Sequence, residues 1–167
     1  MKLWRVLDDG PAARFQTRLI DGKGLAYALW ASLDLYEKQG VFEIGAQVEH
    51  GKVFELVDAI LAELGRAAKR APQKAEIDRV ESRYLRNLRD LRDQPEHLVE
   101  VGSRLALFGH GFDRDASAHG FFEVTPGQVR ERARQLFLNE KPAVVLVGQP
   151  ARTQVKSVRK RLSEHWS

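Results

Sequence analysis

The chain has 167 residues, 43% of them hydrophobic, with 27 basic and 23 acidic side chains and no cysteine. That length suits one domain with a sizeable core; the apolar content excludes a disordered chain, and the missing cysteines exclude disulfides, thiolate zinc sites and thiol catalysis. The net charge of +4 sits at one end: residues 151–167 hold five basic side chains against Glu164, so the other 150 residues carry 22 of each sign, which disfavours a nucleic-acid surface organised over the fold.

Residues 3–7 and 12–20 read as short helical pieces, broken by Asp8-Asp9-Gly10-Pro11 and stopped at Gly22 and Gly24. Residues 25–36 and 41–49 alternate and are rich in aromatic and β-branched types, a β-hairpin signal around Glu37-Lys38-Gln39-Gly40. This predicts Leu25, Tyr27, Leu29, Ala31, Leu33 and Leu35 on one face of the first strand, and Phe42, Ile44, Ala46 and Val48 on one face of the second.

From residue 52 the period becomes helical. Val53, Leu56, Val57, Ile60, Leu61 and Leu64 predict an amphipathic helix over 52–70. A second follows Pro72 through Ile77, Val80, Tyr84, Leu88 and Leu91, and a third spans 96–108. A glycine-bearing loop with a short turn at 114–118 is expected next. Thr125-Pro126-Gly127-Gln128 reads as a capping box that opens another helix. Ala143–Val147 reads as an apolar strand, and 152–165 as a basic helix with Val155, Val158, Leu162 and Trp166 on one side. The class is α+β. Three strands for so much helix predict a piece of a larger unit, or a protein that pairs edge to edge.

The five histidines form no His-x-x-Glu-His or inverse motif, which would set two zinc ligands on successive helical turns. The expected metal content of this chain is therefore none. The weaker alternative set is His110, Asp113, Asp115 and His119 in GHGFDRDASAHG, whose oxygen and imidazole donors suit a divalent ion, although a polar inter-helix loop explains them more cheaply. Gly22-x-Gly24 precedes a strand instead of following one, which argues against a phosphate cradle. No serine lies in a nucleophile elbow. The arginines at 79, 83, 86, 89 and 92 are interleaved with acids, as on a solvated helix face. No apolar run approaches the roughly 20 residues of a membrane span, and MKLWRVLDDG lacks a signal-peptide core.

The segment 14–27, RFQTRLIDGKGLAY, runs from a short helix through a glycine turn into a strand. It resembles a signature of the pitrilysin/insulinase zinc peptidases in their C-terminal, non-catalytic repeat, roughly S-R-L-x-x-x-L-R-E-x-x-G-L-A-Y. Ala13-Arg14-Phe15 stands at its start, Leu19-Ile20-Asp21 at the L-R-E, and Gly24-Leu25-Ala26-Tyr27 matches its end. The hairpin, the helices and the AVVLVGQP segment follow in family order, so the resemblance covers about residues 3–150 and leaves 151–167 as a tail outside it.

The resemblance implies an antiparallel sheet covered by helices on one side, with the leading strands missing upstream of Met1. It implies a non-catalytic domain that walls a peptide-binding chamber, with zinc carried by a catalytic N-terminal half or partner subunit. Extended peptide would be held by strand addition to a sheet edge, and pairing of sheet edges would also permit homo-oligomers. In catalytic members an R-x6-Y element supplies an Arg and a Tyr to the substrate. Tyr27 occupies the Tyr position and Ile20 replaces the Arg, so the donor is lost or is supplied by Arg18 or Lys23. For Tyr27 a sheet aromatic packed under a helix is the other reading. A stand-alone interaction module of the same fold is the alternative function, and nucleic-acid binding through the tail the weaker one. Arg- and Ala-rich usage suggests a bacterium, in periplasm or cytoplasm, and no membrane partner is expected.

Overall fold

The computed structural model of the protein describes residues 2–36, 38–90, 93–107, 109, 114–140, 142–149 and 152–166. In chain order it has α1 (Lys2–Leu7), a π-helical turn (Gln16–Asp21), β1 (Ala28–Leu35), β2 (Gly40–Gln47), α2 (Val53–Lys69), α3 (Lys74–Asp90), α4 (Pro95–Leu107), α5 (Arg114–Glu123), α6 (Pro126–Arg134) running into a second π-helical turn (Gln135–Asn139), and α7 (Arg152–His165). β1 and β2 form a two-stranded antiparallel sheet in which Ala31 faces Ile44 and Trp30 faces Gly45.

One face of this hairpin is covered by helices. Leu29 and Ala31 are buried in a core with Leu7, Phe15, Leu19, Leu56 and Ala133, and Phe42 and Ile44 pack against it. The period-2 pattern of the strands sets that face. On the other face the Trp30 ring lies over Gly45, where a Cβ would collide with it. A second core joins Val6 to Ile77, Val80, Tyr84 and Phe121, with the Tyr84 and Phe121 rings stacked at 3.9 Å.

Local signals explain the helix boundaries. Thr125 accepts a hydrogen bond from the Gln128 amide, and the Gln128 side chain accepts one from the Thr125 amide, which completes the capping box. Buried Leu56, Ala59, Glu63 and Ala67 recur at steps of three and four along α2. The basic helix α7 packs on α2 through buried Val158, an Arg161–Asp58 ion pair at 2.8 Å and the Arg161 guanidinium over the Phe54 ring. It is part of the packed molecule and not a free arm.

Three sequence expectations are corrected. Residues 143–147 form no strand: among the described residues they join no ladder, and Val145 and Val147 are 82% and 95% exposed. A continuous run of mostly β-branched residues favours an extended chain, but a ladder also needs a neighbour, and among the described residues none pairs with them. The short turn expected at 114–118 is the first half of the ten-residue helix α5. Tyr27, just before β1, and Leu35, at its end, are exposed, so burial on that face of the strand is confined to Leu29 and Ala31.

Candidate functional site

The signature segment 14–27 is held from three directions. Phe15, Leu19 and Leu25 are almost fully buried. The π-helical turn ends where the Gly24 amide bonds the Ile20 carbonyl at 2.7 Å and the Leu25 amide bonds the Leu19 carbonyl at 3.2 Å. Gly24 adopts a φ of +59°, a left-handed cap that a side chain would strain. This accounts physically for the glycine that opens G-L-A-Y.

The third restraint is ionic. Glu63 of α2 has no exposure and is met by three guanidinium groups: Arg18 at 2.9 Å, Arg66 at 2.6 Å and Arg14 at 3.5 Å. A buried carboxylate is tolerated only with such compensation. Arg14 also donates two hydrogen bonds to Glu76, at 2.6 and 2.8 Å. Burial pushes the Glu76 carboxyl up, but the Arg14 hydrogen bonds, the Gln73 amide and the nearby arginine charges outweigh it and hold that carboxyl below its usual range. Burial likewise acts against the Arg14 charge, and the bonds and charges of Glu76 and Glu63 overcome it, raising the guanidinium above its ordinary value.

The residues singled out in the R-x6-Y element are therefore placed differently from one another. Ile20 packs against the core. Arg18 reaches Glu63 with 44% of its side chain still exposed. Lys23 is exposed in the glycine turn. Tyr27 is 77% exposed at the start of the hairpin, its amide bonded to the Gln47 carbonyl at 2.9 Å. Among the described residues no side-chain bond brings Tyr27, Arg18 and Lys23 together. Of the alternative metal set, His110 and Asp113 lie outside the described residues, as does the Asp115 side chain. His119 pairs with Glu123 at 3.1 Å. Among the described residues no cluster of three or more His, Asp or Glu could hold a metal ion.

The two edges of the hairpin differ sharply. At Ala31 the β1 edge is closed by α1: the Trp4 indole N–H donates to the Ala31 carbonyl at 2.7 Å, and the Asp8 carboxylate accepts from the Ala31 amide at 2.6 Å. Because Ala31 spends both backbone groups on α1, Ala31 and its partner Ile44 are a non-hydrogen-bonded pair. The backbone groups of Ile44, and of Phe42 and Ala46 at the same parity, then point away from β1, where no described backbone group bonds them. Beyond this edge lies an apolar groove of about 550 Å³, floored by Leu56, Ile60 and Phe137 and bounded by residues 142–146. Sequence reasoning missed both the Glu63 cluster and the α1 cap. Their signals were a lone charge within the apolar stripe of α2 and the i,i+4 spacing of Trp4 and Asp8.

Comparison with known proteins bears on this geometry. Residues 2–84 match the family model described as the peptidase M16 inactive domain, M16 being the pitrilysin/insulinase peptidases. Residues 2–84 belong to this family. Likeness in fold to solved structures extends further along the chain. The inactive peptidase domain of a candidate zinc protease from Bordetella parapertussis superposes with a TM-score of 0.68 at 18% identity, over 82% of this chain and 75% of that one. A protease from Helicobacter pylori superposes at 0.73 with 16% identity over 80% of this chain, and a conserved protein from Enterococcus faecalis at 0.71 with 14% identity over 80%. The chain spans about a third of these last two structures, 32% and 31% of their lengths. At these identities the likeness establishes the fold. None of the curated proteins compared with the chain matches it. Among the described residues no helix is long and apolar enough to cross a membrane.

Proposed function

We propose that this M16 inactive domain forms one wall of a peptide-binding chamber whose zinc is carried by a catalytic half, in the same polypeptide or in a partner subunit. The observation that carries the reading is the match of residues 2–84 to the inactive-domain model. The sequence adds that no His-x-x-Glu-His motif is present. Tyr27 is the signature residue offered to a peptide, since its side chain is 77% exposed. Lys23 stands four residues before it in the glycine turn, and Arg18 contributes mainly by fixing the turn to Glu63.

The test combines the purified chain with the His-x-x-Glu-His-bearing M16 half from the same organism and follows cleavage of an extended fluorogenic peptide. Cleavage is expected from the mixture and not from this chain alone. Tyr27→Ala should raise KM more than it lowers kcat, because a side chain that positions peptide contributes to binding. Turnover by this chain alone, with zinc retained, would overturn the proposal. Peptide binding with no effect on any catalytic half would favour a stand-alone interaction module instead.

A further inference from the structure

We propose that the cavity between residues 142–146 and α7 binds one amphipathic anion, a single acyl chain with a carboxylate head. The cavity lies outside residues 2–84, which match the peptidase family, and the inference does not depend on the peptide-holding role. Its volume of about 560 Å³ falls within the range of small-molecule sites. Val144 and Leu146 line it from one segment, and Val155, Val158, Leu162 and Trp166 line it from α7. Those four recur at steps of three and four, so one helix face presents them over roughly 17 Å. This is an apolar slot of the length and width that an extended hydrocarbon chain fills.

Charge selects the head group. Arg159 is the one charged residue lining the cavity among the described residues. Arg152 and Lys156 precede it by seven and three positions, which sets all three along the same side of α7. Elsewhere on this helix Arg161 is paired with Asp58 and Lys160 with Glu164, whereas Arg152, Lys156 and Arg159 meet no carboxylate among the described residues. A cationic rim on an apolar slot favours an anionic head and repels a cationic one. The adjoining groove beside β2 shares Val144, Leu146 and Trp166 with this cavity but is lined by Glu43 and Glu140. A carboxylate is therefore favoured at Arg159 and disfavoured in that groove, with the chain running between Leu146 and Leu162.

The experiment titrates the whole 167-residue chain with dodecanoate and with dodecyltrimethylammonium, which has the same chain and the opposite charge. Calorimetry should show the carboxylate binding at least about tenfold more tightly. Dodecanoate brominated at its tail should quench tryptophan fluorescence, and Trp166→Phe should remove most of that quenching while Trp4 and Trp30 remain. Arg159→Gln should weaken dodecanoate about tenfold and leave the ammonium compound unchanged. Val144→Glu, at a half-exposed position, puts a carboxylate into the slot and should abolish dodecanoate binding with the fold unchanged by circular dichroism.

Equal affinity for the two amphiphiles, or quenching that survives Trp166→Phe, would overturn the inference. Sedimentation with phosphatidylglycerol vesicles without any binding of dodecanoate would also overturn it, and would make this face a membrane surface instead. Stimulation of a catalytic half bears only on the peptide-holding role, so the two proposals fail separately.

Discussion

The two edges of one hairpin meet opposite fates in this molecule. β1 is closed by side chains of α1, with an indole and a carboxylate supplying the bonds that a neighbouring strand would otherwise make to Ala31. β2 ends in outward backbone groups and an apolar groove. The closed side is also where charge is buried, since the Glu63 cluster fixes the signature segment leading into β1. The open side is where valines remain exposed. A sheet edge is stable in water only when something satisfies or protects it. The molecule has spent its restraints on one edge and left the other available.

The comparison can be broken most severely at Glu63. Glu63→Ala removes the buried carboxylate shared by three arginines, Arg14 keeping Glu76 as its partner, and should cost about 2–3 kcal/mol, the upper range for hydrogen bonds to a charged group. Urea denaturation followed by circular dichroism checks this, and a loss below about 1 kcal/mol would mean the cluster behaves as a surface pair. Next comes the cap itself. Asp8→Ala orphans the Ala31 amide and should cost about 1–3 kcal/mol, with faster hydrogen exchange at that amide. An unchanged exchange rate would show that α1 does not close the edge.

How much of this was legible in sequence divides along the same line. The hairpin, the helices over 53–69 and 74–90 and the capped helix at Thr125 follow from periodicity and cap chemistry, which act locally. The family signature was legible because G-L-A-Y encodes a left-handed cap and the start of a strand. Glu63 was not singled out, because a charge within an apolar stripe gains its meaning only from arginines 45 and 49 positions away. The closure of β1 depends on a contact spanning 27 residues between Trp4 and Ala31. Residues 143–147 were read as a strand because their pattern is strand-like, yet pairing is a property of two segments and not of one.

A smaller effect sharpens the electrostatics of the closed side. Glu76 is held below the usual carboxylate range in the folded chain, so it contributes stability that is complete above that range. The contribution is lost as pH falls through the lowered value, and Glu76→Gln should flatten this acid limb in urea midpoints measured across pH. A variant with the same acid limb as the parent would show that the Arg14–Glu76 pair contributes nothing to it. The smallest effect belongs to the open side. Val147→Thr, at a position 95% exposed, should change stability by less than about 0.5 kcal/mol in the same denaturation assay. A larger loss would mean that the segment is packed after all.

The central claim is that this domain holds an extended peptide and does not cut it. Native mass spectrometry tests this most directly, on protein incubated with zinc, desalted and mixed with the extended fluorogenic peptide. The account predicts one intact peptide per chain and substoichiometric zinc. One retained zinc per chain together with peptide fragments would contradict it.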